Sequence, residues 1–277
     1  MREDYLQPVR LVLLVFATSL AQAAQPSASS LLDSGYGQMY NLQFDDAHKT
    51  FAETERLYPS NPLGPVSNAA AYLFAELDRL RILQAEFFVN DSSFKTHRKL
   101  TPLPSARRAF DEELRKGDDL SQAELAQSPD NQDALFARAM VFGLRSDYDA
   151  LIDKRYMASL KSIRTSRITA ETLLSINPDY YDAYLAIGVE NYMLSLKPAP
   201  LRWLLQLGGA ETDKQLGIEK LRLTAEKGHY LRPYARLLLA VAALRDKDRP
   251  TARSILSGLA RAFPHNRLYS EELARLH

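Results

Sequence analysis

Residues 31–59 place their apolar side chains with the period of an α-helix, in two segments. A short break at 43–45 separates the segments, and Pro59 ends the second because proline cannot continue a helix. The small residues Gly35 and Ala47 stand where two helices that fold back on each other would approach closely. The pattern therefore predicts a helical hairpin. One hairpin cannot bury its apolar face alone, so we expect similar hairpins to stack against it.

Helical periodicity continues along the rest of the chain, and strand signals are absent, which predicts an all-α fold. We expect further helices over 66–89, 105–127, 133–144, 147–176, 181–196, 201–207, 211–227, 233–245, 251–262 and 268–277. The segments 66–89 and 147–176 are longer than the helices of a normal repeat. They are predicted to decorate a repeat array.

Four of the predicted helices end at a proline that has an asparagine within two residues of it. These prolines are Pro59, Pro129, Pro178 and Pro264. The proline ends one helix and prepares the turn into the next. The endings are 70, 49 and 86 residues apart, which fits degenerate units of about 34 residues with insertions.

The first hairpin resembles a tetratricopeptide repeat (TPR), with Gly35, Phe44, Ala47, Phe51 and Pro59 at the signature spacings of that family. The other close matches are Tyr184, Ile187 and Gly188 in 181–196, and Ala252, Leu256 and Pro264 in 233–264. The resemblance implies a right-handed α-solenoid of TPR-like hairpins with long inserted helices, in one domain over 31–277. It also implies a binding scaffold, although this architecture serves many unrelated partners.

The N-terminal residues 1–23 are typical of an export signal peptide. Arg10 precedes the apolar run 11–17, and Ala21 and Ala23 form a small-x-small cleavage site. Residues 24–30 are then a polar linker. We expect a periplasmic or secreted protein with no transmembrane span in the mature chain. The alternative is a protein that keeps residues 9–24 as an inner-membrane anchor.

Composition excludes several classes of function. The net charge of +1 gives no overall field that would select nucleic acid, so no nucleic-acid partner is expected. The absence of cysteine excludes thiol catalysis, disulfides and cysteine metal sites. None of the five histidines lies three or four residues from another, and no glycine-rich phosphate loop occurs. We therefore expect no cofactor, no metal site and no catalytic residues.

The TPR resemblance also implies which residues face a partner, because the first helix of each hairpin lines the concave surface in that family. The groove positions carried over to this chain are Tyr36, Met39, Tyr40, Phe136, Met140, Leu185, Val189, Tyr192, Met193 and Arg236. Tyrosine and methionine suit adaptable recognition of an extended peptide. The alternative is that some of these side chains pack against inserted helices.

A basic stripe is predicted on the 147–176 helix. Lys154, Lys161, Arg164 and Arg167 fall within about 140° of one face, and no acidic residue occurs between 154 and 170. The stripe is either a docking site for an acidic partner or a solvated face that buries only the aliphatic stems of its side chains.

Together these features predict an exported TPR-like scaffold or adaptor that binds a protein or peptide in the cell envelope, without catalysis of its own. Two alternatives stay open. One is an envelope enzyme, or a subunit of one, built on a helical solenoid. The other is a membrane-anchored adaptor that keeps its N-terminal segment.

Overall fold

The computed structural model describes residues 25–83 and 101–276, and every regular element within these ranges is helical. The α-helices are α1 (Ala28–Tyr40), α2 (Phe44–Leu57), α3 (Leu63–Arg79), α4 (Pro104–Gln127), α5 (Gln132–Asp147), α6 (Tyr156–Ile176), α7 (Tyr184–Ser195), α8 (Ala199–Leu207), α9 (Lys214–Lys227), α10 (Arg232–Arg245), α11 (Arg249–Ala262) and α12 (Arg267–Arg275). A π-helical turn, Tyr148–Ile152, follows α5, and a 3₁₀ turn, Tyr181–Ala183, precedes α7. The prediction of an all-α fold is confirmed.

Five of the described α-helices begin after a short polar side chain that accepts a hydrogen bond from a free backbone N–H group of the first turn. Ser27 caps α1 in this way, and its hydroxyl oxygen accepts from the Ser30 N–H at 3.1 Å. Helix α1 therefore begins at Ala28, so the second half of the predicted 24–30 linker belongs to this helix. Asn131, Asp213, Asp248 and Asn266 cap α5, α9, α11 and α12 in the same manner.

The helices pack mainly in pairs: α1 with α2, α3 with α4, α5 with α6, α7 with α9, and α10 with α11. Small residues allow the close approach within these pairs. A Cβ atom on Gly35 would lie 2.3 Å from the Phe51 ring, and one on Gly188 would lie 2.9 Å from Leu221 Cγ. The prediction that Gly35 lies where two helices meet closely is confirmed. In the sequence, the short helix α8 lies between α7 and α9, the two members of the fourth pair.

Two of the predicted long helices are shorter than expected. Helix α3 ends at Arg79 rather than near residue 89, because Arg81 adopts a left-handed backbone conformation with φ 56°. The predicted 147–176 helix is interrupted before α6, where Lys154 has φ 57°. At this interruption Asp153 accepts from Arg107 of α4 at 2.7 Å, and Asp149 forms an ion pair with Arg155. Contacts with another part of the chain thus stabilise the break.

The two ends of the described chain contact each other. The Asn266 side-chain amide donates to the Tyr40 carbonyl oxygen at 2.9 Å, and the His265 N–H donates to Asn41 Oδ1 at 3.2 Å. Arg267 also forms an ion pair with Asp78 of α3 at 2.8 Å. The C-terminal helices therefore cover one side of the first hairpins, and the core is enclosed between them.

The predicted signal peptide 1–23 and the alternative membrane anchor 9–24 lie outside the described residues. Among the described residues, no helix combines the length and the apolar character that crossing a bilayer requires.

Candidate functional site

Seven of the ten predicted groove residues line one cavity, which we call the central cavity. They come from three helices that are distant in sequence: α1, α5 and α7. The seven are Tyr36, Met39, Tyr40, Phe136, Met140, Leu185 and Val189. These three helices are the first members of the first, third and fourth pairs. Helix α10 completes the wall with Tyr234.

The central cavity is small and mainly apolar, with a volume of about 80 Å³. An adjoining cavity of about 50 Å³ lies on the C-terminal side, between α1, α3, α10 and α12. Five side chains border both spaces: Met39, Tyr40, Phe74, Asp147 and Tyr234. These five residues therefore form the boundary between two chambers.

Stacked aromatic rings form the N-terminal wall of the central cavity. Tyr36 lies between Tyr40 and Tyr230, with ring centroids 6.2 and 5.0 Å away. Its hydroxyl accepts from Ser67 at 3.0 Å and donates to the Met140 sulfur at 3.7 Å. Burial raises the pKa of both Tyr36 and Tyr40, so these hydroxyls stay protonated at neutral pH. Because the hydroxyl of Tyr36 is bonded to Ser67 and Met140 and its ring stacks on Tyr230, this wall has a fixed geometry.

Asp147 is the polar group at the boundary of the two chambers. It is the last residue of α5, and the Tyr234 hydroxyl donates to its Oδ2 atom at 3.4 Å. Burial raises the pKa of the Asp147 carboxyl to about 7, and the Tyr234 hydrogen bond lowers it by a smaller amount. Asp147 is partly exposed, and it is exposed to the two cavities because it lines both of them. An acid of this type can donate or accept a hydrogen bond near neutral pH.

A second carboxylate, Asp182, also borders the central cavity but has a structural role. It accepts three backbone N–H bonds, from His229 at 2.9 Å, from Tyr230 at 2.9 Å and from Leu231 at 3.1 Å. Burial raises the pKa of Asp182, whereas the three N–H donors oppose this shift. These bonds fix the turn before α10 and so hold the Tyr230 ring against Tyr36.

The other three predicted groove residues do not line the cavity. Tyr192 is buried between α7 and α9, where Gly217 approaches its backbone so closely that a Cβ atom would lie 2.5 Å from the Tyr192 nitrogen. Met193 packs against the apolar cluster that contains Tyr192 and Leu221. Arg236 donates to the Ala225 carbonyl oxygen at 3.0 Å and so binds the end of α9. Tyr192 therefore packs within its own helix pair, against α9, and neither faces the cavity nor packs against an inserted helix.

The predicted basic stripe does not form one continuous exposed face. The prediction is wrong for two of its four residues, Lys154 and Arg167. Lys154 lies in the interruption before α6 and not on a helix. Arg167 is only 7% exposed, because its guanidinium binds Glu190 at 2.8 Å, Glu171 at 2.7 Å and Glu211 at 3.1 Å. Lys161 and Arg164 are exposed, as expected. Arg167 therefore links α6, α7 and the segment before α9.

Sequence reasoning did not identify Asp147, Asp182 or Tyr234. All three are ordinary polar or amphipathic residues near predicted helix ends, and nothing local distinguishes them from solvated ones. Only the fold brings Asp147 to Tyr234, 87 residues later. One feature of the sequence could have indicated that Asp147 is partly buried, namely its position just after the apolar segment 134–144.

Within 25–83 and 101–276, no three His, Asp or Glu side chains are grouped so that they could hold a metal ion. No protein-family model matches the chain, and comparison with curated proteins finds no match either.

Proposed function

We propose that the chain is an exported, TPR-like scaffold that binds a protein or peptide partner through its central cavity. The observation that carries this proposal is the convergence of seven groove residues from α1, α5 and α7 on one apolar space. These helices are separated by about 100 and 50 residues of sequence, so local packing alone does not explain why their tyrosine and methionine side chains share a wall.

The proposal extends to a right-handed α-solenoid of TPR-like hairpins. Its support is the successive packing of helix pairs, together with close contacts at Gly35 and Gly188, two of the positions on which the resemblance depends. In such an array each pair buries the apolar face of the preceding one. The contact between the first and last helices is a departure from an open array, and it narrows the space that a partner can enter.

The size of the cavity limits what it can hold. A buried apolar cavity of about 150 Å³ holds a benzene molecule, and typical small-ligand pockets have volumes of about 300 Å³ or more. The central cavity, at about 80 Å³, is below both. It therefore suits the end of one apolar side chain of a partner rather than a complete small ligand. The adjoining cavity of about 50 Å³ suits a second, smaller group.

Asp147 makes the central cavity selective among partner segments. The carboxyl lies between the two chambers, where it can accept a hydrogen bond from a partner group that enters beside the apolar side chain. A buried polar group left without a partner costs free energy, so a segment that offers no donor there binds less well. The preferred partner segment thus combines an apolar side chain with a nearby hydrogen-bond donor.

The test compares capture of envelope proteins by the wild-type chain and by Ala186→Leu. Ala186 lines the central cavity, so the larger side chain fills the space without removing a hydrogen bond. The matched control is Ala123→Leu on the exposed face of α4. A partner retained by wild type and by the control but lost with Ala186→Leu supports the proposal. Equal capture by all three proteins contradicts it.

One observation favours a second candidate function, an envelope enzyme. The pKa of Asp147, about 7, is in the range that suits a general acid at neutral pH, and the group faces a cavity. The test is the release of fragments from purified cell wall. Release by the wild-type chain but not by Asp147→Asn supports the enzyme, whereas equal release by both, or none by either, contradicts it.

A further inference from the structure

Helix α8 presents apolar side chains to solvent, the reverse of a normal surface helix. Trp203, Leu204 and Leu207 are 64%, 60% and 67% exposed, and they lie within about 100° of one another around the helix. Leu201, at the edge of this face, is also exposed. No residue of α8 is buried. The helix therefore contributes almost nothing to the core, although it is the richest in leucine for its length.

Polar contacts at both ends hold α8 against the body of the protein. At its start, Arg202 donates to the Lys197 carbonyl oxygen at 3.0 Å. At its end, Arg164 of α6 donates to the Gly208 carbonyl oxygen. These bonds use the inner side of the helix and its termini, so they leave the apolar face uncovered within the described structure. The face has a fixed orientation and is available for an interaction.

Cations lie beside this face, and the acidic residues Glu211 and Asp213 share a surface space with Gln206 near the C-terminal end of α8. No acidic residue occurs in 191–210, and none occurs in 154–170. Lys197 and Arg202 lie on or beside α8, whereas Lys161 lies about one turn of α6 away from Arg164, whose side chain binds Gly208 at the end of α8. Within the described part of the chain, none of these four cations forms an ion pair. Lys161 and Lys197 are therefore available to an external anion, whereas Arg164 and Arg202 can offer only the N–H groups that do not bond backbone carbonyl oxygens.

The exposed stripe of α6 has the same mixed character. Met157 and Ile168 are exposed at 80% and 46%, and Lys161 and Arg164 stand between them at helical spacing. The Arg164 contact with Gly208 brings this stripe to the end of α8. Apolar and basic side chains thus occur together on two neighbouring helices.

We propose that α8 and the adjacent stripe of α6 form a docking surface for an anionic lipid bilayer. Leucine and tryptophan side chains on one helical face enter the boundary between headgroups and acyl chains, and tryptophan favours this depth. Lysine and arginine beside them attract anionic headgroups. The helix lies in the interface and does not span the membrane.

The charge pattern favours lipid over a second copy of this chain. Two copies that met through this face would bring together two sets of lysines, Lys161 and Lys197, that have no carboxylate partner within the described structure, and like charges in contact oppose association. An anionic bilayer neutralises the same lysines. This proposal is independent of the central cavity, whose lining residues do not include any residue of α8.

Trp203 allows a direct test, because it is the only tryptophan in the chain. Its fluorescence is recorded while the full chain is mixed with vesicles of phosphatidylcholine alone, or of phosphatidylcholine with one-third phosphatidylglycerol. We expect a blue shift and protection from a water-soluble quencher with the anionic vesicles, and a much weaker response with the neutral ones. Raising the salt concentration weakens the response, since screening reduces the headgroup attraction.

Variants assign the binding to this surface. The double variant Leu204→Ser/Leu207→Ser keeps the Trp203 fluorophore and removes apolar surface from α8. Its partitioning into anionic vesicles is expected to fall roughly tenfold or more. Lys161→Gln and Lys197→Gln are each expected to lower partitioning to anionic vesicles about fivefold. The control is Leu103→Ser, at an exposed leucine outside α6 and α8, which leaves partitioning unchanged.

Several results would overturn the proposal. Absence of wild-type binding to anionic vesicles does so directly. Sedimentation with vesicles while Trp203 emission stays unchanged means that another segment binds lipid, as does full binding by the double leucine variant. A blue shift that depends on protein concentration and needs no vesicles means that a second copy covers the face.

Discussion

The Tyr40 hydroxyl donates a hydrogen bond to the Tyr230 carbonyl oxygen at 3.0 Å, across 190 residues of sequence. This bond joins α1 to the turn before α10, and the Asp182 carboxylate holds the same turn from its other side. It is one of the contacts that close the central cavity.

Tyr40→Phe is expected to lower the free energy of unfolding by about 1 kcal/mol, because the partly buried Tyr230 carbonyl oxygen loses its donor. The control is Tyr58→Phe, which removes a hydroxyl bonded to the Pro26 carbonyl oxygen in an exposed position. Urea denaturation followed by circular dichroism measures both. If Tyr40→Phe is no less stable than the control, the hydrogen bond between Tyr40 and Tyr230 does not stabilise the fold.

Gly188→Leu is expected to destabilise the protein by ~1–3 kcal/mol, because the new side chain would overlap Leu221 across the fourth pair. Gly37→Ala is the comparison, since nothing lies within 4 Å of its Cβ position. Alanine there is expected to stabilise α1 by up to ~1 kcal/mol. Equal denaturation midpoints for Gly188→Leu and wild type would contradict the packing.

Arg167→Ala is expected to cost ~3–5 kcal/mol, because it leaves the buried Glu190 carboxylate without its guanidinium partner. Burial already raises the pKa of Glu190, and Arg167 opposes that shift. Arg164→Ala, three residues earlier on the exposed side of α6, is the matched control, with an expected change below ~1 kcal/mol. Similar losses from both substitutions would mean that Arg167 is not a buried link.

Asp147→Asn is expected to flatten the dependence of stability on pH. The folded-state pKa of Asp147 is about 7, above its ordinary value of 3.8, so the folded protein binds this proton more tightly than the unfolded chain does. The resulting stabilisation is complete below about pH 4 and is lost as the pH rises through 7. It amounts to at most about 4 kcal/mol.

Urea midpoints at several pH values between 4 and 8 measure this effect in wild type and in Asp147→Asn. The wild-type midpoint should fall with rising pH by more than that of the variant. Parallel curves would show that the Asp147 carboxyl is solvated and keeps its ordinary pKa.

The sequence was sufficient to predict what depends on neighbouring residues. Helical periodicity, prolines after helices and polar caps all act within a few residues, so most helix positions were predicted correctly. The long 147–176 helix was predicted wrongly, because Asp153 is held by Arg107, 46 residues away. The burial of Arg167 likewise depends on Glu190 and Glu211, 23 and 44 residues later.

The site was predictable only in part, for the same physical reason. Helical period places Tyr36, Met39 and Tyr40 on one side of α1, and the family resemblance implied that this side faces the corresponding side of later first helices. Neither source of information contains the turn at Tyr230 or the approach of Tyr234 to Asp147. These contacts depend on how all the helix pairs pack together, which is the sum of many small packing angles.

The bonds from Asn266 and His265 to the end of α1 also restrict how this protein can change through evolution. An open repeat protein gains or loses a hairpin by duplication or deletion, since each unit touches only its neighbours. Here the last helices must return to the first, so one extra pair would displace Asn266 from Tyr40 and leave both partners unmatched. Insertions are tolerated where they add a helix without buried residues, as α8 does, whereas the number of helix pairs between α1 and α12 is fixed.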